Sequence, residues 1–174
     1  MVIEVYQTLE DRKNYDFVLN NAPFKCTREN AWLGEGYYFW DSELKWAHQW
    51  GKNSYKKKSL DYIITKCKTK IDENCFDLFG SVNCQKEFRE VIDVFKKDSK
   101  TKDLEGLNVP NIITYMKNAG IFDYDSIRAG DMNNIFKVYF RKGKEYTIVN
   151  QRVQICIINS EKALTLPVDI VYPK

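Results

Sequence analysis

A chain of 174 residues with 44% hydrophobic content is long enough for one domain with a substantial core. A net charge of +3 is too small to argue for a nucleic-acid surface, and five cysteines with a single histidine argue against zinc. No apolar run approaches the ~18 residues of a membrane span, and the strand pattern directly after Met1 predicts no signal peptide.

In chain order, residues 2–8 alternate in the manner of a first strand. Residues 11–20 read as a helix with Tyr15, Val18 and Leu19 inward, stopped by Asn20-Asn21-Ala22-Pro23. A loop carrying Cys26 and Trp32 leads to a short strand at 37–40, then to a helix at 42–50 ended by Gly51. Lys56-Lys57-Lys58 reads as a solvated loop. A β-branched strand is expected at 60–67, and 72–80 stays ambiguous. The helix at 84–97 has Phe88, Val91, Ile92 and Phe95 on one face. A charged surface loop at 98–108 precedes a helix begun by Pro110 and ended by Gly120.

Beyond Gly120 the pattern favours sheet. Gly130-Asp131 reads as a turn, and the segments 135–140 and 145–149 flank Arg141-Lys142-Gly143-Lys144 as a hairpin. Strands follow at 153–158 and 166–172, the last with Pro167 near its start or on an edge. No repeat or second domain is evident, so residues 1–174 read as a single α+β domain. Cys26, Cys67, Cys75, Cys84 and Cys156 form no close pair, which suits reduced thiols and a cytoplasmic location.

One stretch stands out. Gly34-Glu35-Gly36-Tyr37-Tyr38-Phe39-Trp40-Asp41 sets two glycines before four aromatics, and the helix after it carries Ala47, His48 and Trp50. Glycines admit close approach of a flat ligand, and aromatics supply surfaces on which rings stack. A glycine turn entering an aromatic core strand would give the same composition. Gly34-x-Gly36-x-Tyr38-Phe39 with Ala47 on the next helix resembles the central motif of the ADP-ribosyltransferases, closest to the poly-ADP-ribose polymerase and diphtheria-toxin type. The third glycine of a Rossmann fingerprint is missing.

That resemblance implies two antiparallel sheets forming a cleft, flanking helices, and NAD as substrate. It implies that Tyr38 stacks on nicotinamide, with Gly34, Gly36 and Ala47 shaping the pocket. It places the first strand, with Tyr6, Gln7 and Thr8, against ribose or amide, Gln7 standing where the polymerases carry histidine. Arg128 is a candidate for the NAD phosphates, the alternative being a surface pair with Asp125. The family's catalytic glutamate has no evident counterpart: Gln151 best matches its position, and Gln154 is the other polar candidate. Residues three apart on a regular strand face opposite ways. A glutamine cannot neutralise developing positive charge, so Glu145 is the acid that could act instead, and Glu35 lies at the expected rim. The expected activity is mono-ADP-ribosyl transfer to a protein or nucleic-acid acceptor, in the manner of microbial toxin or phage-defence proteins. The alternative is an NAD-binding or protein-interaction domain without turnover. His48, alone among five thiols, reads as a satisfied core-edge group rather than a base.

Overall fold

The first strand, β1 (Val2–Glu10), is the spine of the fold in the computed structural model, which describes residues 1–98, 107–131, 136–149 and 151–173. Its alternation puts Val5 on one side and Tyr6 on the other, and each enters a different apolar cluster. β1 pairs antiparallel with β3 (Tyr62–Lys70) over nine positions. It pairs with β2 (Tyr37–Asp41) over only two, Val5 with Asp41 and Tyr6 with Trp40. Past Tyr6 the two strands part, and this short seam decides where the cavity lies.

Four further strands join these three: β4 (Cys75–Asp77), β5 (Ser126–Asp131), β8 (Arg152–Ile157) and β9 (Leu164–Tyr172). Together they form one seven-stranded sheet in the order β4-β5-β8-β2-β1-β3-β9. The expected purely antiparallel arrangement needs one correction, because β4 and β5 run parallel. A separate two-stranded ribbon joins β6 (Phe136–Phe140) to β7 (Glu145–Val149), the expected hairpin. Pro167 lies on β9, the edge strand, where a missing N–H is tolerated. The architecture is therefore α+β, with two sheets of very unequal size and flanking helices.

Among the described residues four of the five α-helices flank the large sheet; the fifth is the single turn Ser160–Ala163 before β9. Val18 of α1 (Tyr15–Asn21) packs against Val5, Phe39, Ile63, Ile155 and Ile157. α1 starts four residues later than expected because Asp11 caps a local turn instead: its carboxylate accepts the Lys13 N–H at 2.8 Å, and Lys13 turns left-handed. α2 (Leu44–Ser54) runs through Gly51 rather than ending there. Gly51 lies against the Tyr62 ring, where a Cβ would collide. Glycine thus serves helix–strand contact at this position, not termination.

α3 (Val82–Asp98) and α4 (Val109–Asn118) close the far end of the sheet. Phe88, Ile92 and Phe95 of α3 pack on a core of Phe76, Ile112, Ile113, Met116 and Ile127. The Asn108 side chain caps α4 by accepting from the Asn111 N–H at 2.9 Å, and Pro110 sits in its first turn. Gly130 and Asp131 end strand β5 rather than forming a turn, paired with Val153 and Arg152. Most of the expected loop at 98–108 lies outside the described residues, as does Ile135. Among the described residues no helix is long and apolar enough to cross a membrane.

Candidate functional site

Where β1 and β2 part, a cavity of about 770 Å³ opens. Gln7, Thr8 and Leu9 come to it from β1, Tyr38, Phe39 and Trp40 from β2, and Gln154 from β8. Trp50 and Tyr55 enter from α2 and its exit, and Gly130 and Asp131 from the end of β5. The remaining wall is the loop from Phe24 to Trp32. The volume lies in the range of small-molecule sites, and aromatic rings with a few polar groups are their usual lining.

Three polar side chains fasten that loop to the sheet. The Gln7 carboxamide accepts the Phe24 N–H at 2.8 Å and donates to the Phe24 carbonyl at 2.8 Å and, more weakly, to the Tyr38 carbonyl at 3.4 Å. The Tyr38 hydroxyl accepts the Leu33 N–H and donates to the Gly34 carbonyl, both at 2.8 Å. The Trp32 indole donates to Gln154 Oε1 at 2.6 Å. Backbone bonds between Cys26 and Gly36 complete the strap. The polar ends of Gln7 and Tyr38 are thus engaged with backbone, and both residues line the cavity. Burial pushes the Tyr38 phenol well above the ordinary tyrosine value, so it stays neutral and can both donate and accept.

The other residues of the aromatic stretch divide by role. Gly36 is held against β8, where a Cβ would meet Cys156 Sγ at 2.5 Å and the Ile157 carbonyl at 2.6 Å. The close approach that its glycine permits is therefore to a strand. Gly34 has φ +86° and open space where a Cβ would point. Ala47 is fully buried with Tyr6, Trp40 and Trp46 beneath α2, and its carbonyl accepts the Thr8 hydroxyl at 2.9 Å. Tyr6 lies in that same cluster, away from the cavity wall, with its hydroxyl on Glu4 at 3.1 Å. Burial raises the Tyr6 phenol to about 12.

No protein-family model, curated protein or solved structure matches this chain.

Arg128 corrects a sequence expectation. It is neither on the cavity wall nor paired with Asp125 at the surface. Its guanidinium is nearly buried between Asp41 at 2.7 Å and Asp77 at 3.0 Å, with the Phe79 ring 4.8 Å from its centre. Burial alone would lower its pKa, but the two carboxylates outweigh that and raise it. Asp125 instead lies 3.8 Å from Lys162.

The candidates for catalysis are dispersed. Gln154 lines the cavity, whereas Gln151 precedes β8 and lays its amide over Gly130. Glu145 begins β7 on the exposed ribbon, 3.5 Å from Arg141, and does not line the cavity. Glu35 pairs with Lys25 at 2.6 Å in solvent. Among the described residues the one carboxylate on the wall is Asp131, held at 2.6 Å by Arg152, whose guanidinium lies over the Trp40 ring. Among the described residues no cluster of histidine, cysteine or acid side chains is placed to hold a metal.

Sequence reasoning missed Arg28, Asn30, Trp50 and Tyr55 as wall residues. Arg28 is exposed on the loop and forms no ion pair among the described residues, which leaves a cation at the mouth. The signal for it was thin: one arginine in a polar loop. His48 lies outside the cavity, its Nδ1 3.0 Å from the Tyr62 hydroxyl. Its pKa is lowered by burial and by nearby Lys52, so it is neutral near pH 7.

Proposed function

We propose that this chain binds NAD in the cavity at the β1–β2 seam and transfers ADP-ribose from it to a macromolecular acceptor. The observation that carries the reading is the convergence of Tyr38, Trp40, Trp50 and Tyr55 on one cavity whose mouth holds Arg28, a cation with no ion pair among the described residues. An aromatic lining suits the nicotinamide ring, and a mouth cation suits the pyrophosphate. Tyr38 belongs to the glycine–aromatic stretch that resembles the ADP-ribosyltransferases, so geometry and resemblance support the same ligand.

In the transfer, the bond between ribose C1′ and the nicotinamide nitrogen breaks, and its electron pair leaves with neutral nicotinamide. An acceptor oxygen or nitrogen then bonds to C1′ and gives up its proton. The cavity supplies placement, worth much of such a barrier. It supplies little charge stabilisation, because Asp131 is committed to Arg152. By analogy with loss of one electrostatic group elsewhere, that lowers turnover by roughly 10²–10³-fold. This favours a second reading on the same site, NAD binding without turnover.

Calorimetric titration with NAD tests the shared part: binding is expected, weakened in Arg28→Ala. Absence of binding at millimolar NAD would sink both readings. Incubation with labelled NAD and mixed protein and nucleic-acid acceptors separates the two. Label transfer by the wild type supports the enzyme. Binding without nicotinamide release, with activity gained in Gln151→Glu, supports the binder.

A further inference from the structure

Gln154 is the polar group that β8 offers the cavity, and its orientation is set by Trp32. An indole N–H can only donate, so the carboxamide must turn its oxygen toward Trp32. The 2.6 Å contact is short for an N–H···O bond. Its amide nitrogen then points the other way and has no acceptor among the described residues. Gln154 is only 9% exposed and lines the cavity, so that nitrogen has nothing but the cavity to serve. Trp32 is itself fixed: its loop is tied down by Tyr38 at Leu33 and Gly34, immediately after it in the chain.

We infer that Trp32 is a positioning residue that holds Gln154 as a hydrogen-bond donor, so that the cavity selects a ligand presenting an acceptor oxygen at this point. The part that concerns NAD rests on the proposed function, whereas the lock between the two side chains does not. Carbonyl, ribose and phosphate oxygens all satisfy the donor. A group that only donates would meet an N–H and be rejected, since neither side could pair. The same geometry gives Gln154→Glu a distinctive outcome. One carboxylate oxygen would take the Trp32 N–H, and the other would present negative charge to the ligand's acceptor.

The test uses the whole chain labelled with ¹⁵N. Among the four tryptophan indole N–H resonances, one is expected far downfield and slow to exchange. It should vanish in Trp32→Phe, which keeps an aromatic ring, and move upfield in Gln154→Leu. A Trp32 resonance unmoved by Gln154→Leu overturns the lock, whatever the ligand proves to be. With NAD as probe, Trp32→Phe and Gln154→Leu should each weaken binding about three- to tenfold, the worth of one neutral hydrogen bond. The double variant should be no weaker than Gln154→Leu alone, and Gln154→Glu should be weaker than either. Full NAD affinity in Trp32→Phe, with loss in Gln154→Leu, overturns the positioning role while leaving NAD as ligand. A wild type that binds no NAD ends the proposed function, and the resonance shift still decides the lock.

Discussion

Two buried polar systems flank the β1–β2 seam, and they hold it by different physics. On the cavity side, Gln7, Tyr38 and Gln154 fasten the 24–34 loop with neutral hydrogen bonds to backbone and indole. In the other, Asp41 at the end of β2 is tied to Arg128 on β5, which also holds Asp77 on β4. Asp77 is saturated further, because its second oxygen accepts the Phe79 and Gly80 N–H groups at 3.0 and 2.8 Å. Neutral clamps cost little to desolvate and leave a cavity between them that can take a ligand. The ionic cluster joins three strands and is nearly buried. Loss of one partner should therefore hurt far more in the ionic system than in the neutral one.

The largest effect is expected from Arg128→Met. It leaves two nearly buried carboxylates facing each other without their cation, and should destabilise by about 3–5 kcal/mol. Denaturant midpoints would show it. Adding Asp41→Asn and Asp77→Asn should return much of the loss, since the carboxamide oxygen that replaces the Asp77 carboxylate could still accept the Phe79 and Gly80 amides. A loss below that of any neutral clamp would break the contrast.

Gly36→Ala comes next. Its Cβ would strike Cys156 Sγ and the Ile157 carbonyl, so β2 and β8 must shift, at about 1–3 kcal/mol. Gly34→Ala meets no atom and suffers only from its left-handed backbone, at roughly 1–2 kcal/mol. The pair sharpens what the two glycines do. If Gly36→Ala spared stability and abolished ligand binding, its role would be at the cavity and not in strand packing.

Gln7→Leu tests a clamp directly. Phe24 would keep an unpaired N–H and carbonyl, for about 1–3 kcal/mol. The 24–32 wall should loosen with it, seen as faster amide exchange at Phe24. Protection unchanged there would mean the loop is held by its other bonds alone.

These contrasts also mark what could be read from the sequence. The strands β1, β3 and β8 and the amphipathic α3 were legible because alternation and helical spacing are local. The Gly34–Trp40 stretch, singled out by composition, does supply Tyr38, Phe39 and Trp40 to the cavity wall, and of the two glutamines near β8 only Gln154 lines it. What each polar residue touches was not. Arg128 finds Asp41 and Asp77, 87 and 51 residues away, and Trp32 finds Gln154 across 122. Gly51 and Gly130 read locally as punctuation because a glycine's local meaning is a turn. Their partners, the Tyr62 ring and the Gln151 amide, come from other strands and connections. The divergence of β1 from β2 after two pairs, where the cavity lies and where Gln7 and Tyr38 hold the loop, has no local signature at all.

Smallest at neutral pH, where it is absent, is an effect of alkaline titration. Burial pushes the Cys156 thiol from its ordinary value of 9.0 to about 12, and burial likewise raises the Tyr38 phenol above its ordinary 10.0. Both groups are neutral when protonated, and both are protonated in the fold and in the unfolded chain at pH 7. Their raised values therefore stabilise nothing differently between pH 7 and 8. Above pH 9 the unfolded chain begins to release protons that the fold retains. It then binds fewer protons than the native state, and stability must fall as pH rises. Cys67 and Cys75, raised by burial to about 12 and about 11, add to the same limb. Denaturant midpoints measured from pH 7 to 11 should be flat to about pH 8 and then decline. Cys156→Ala should shallow the decline from pH 9 upward, and Tyr38→Phe only above pH 10, beneath whatever each loses at all pH values. A Tyr38→Phe curve parallel to wild type to pH 11 would mean that this hydroxyl is hydrated, and that the strap over the cavity opens where its neutral clamp was placed.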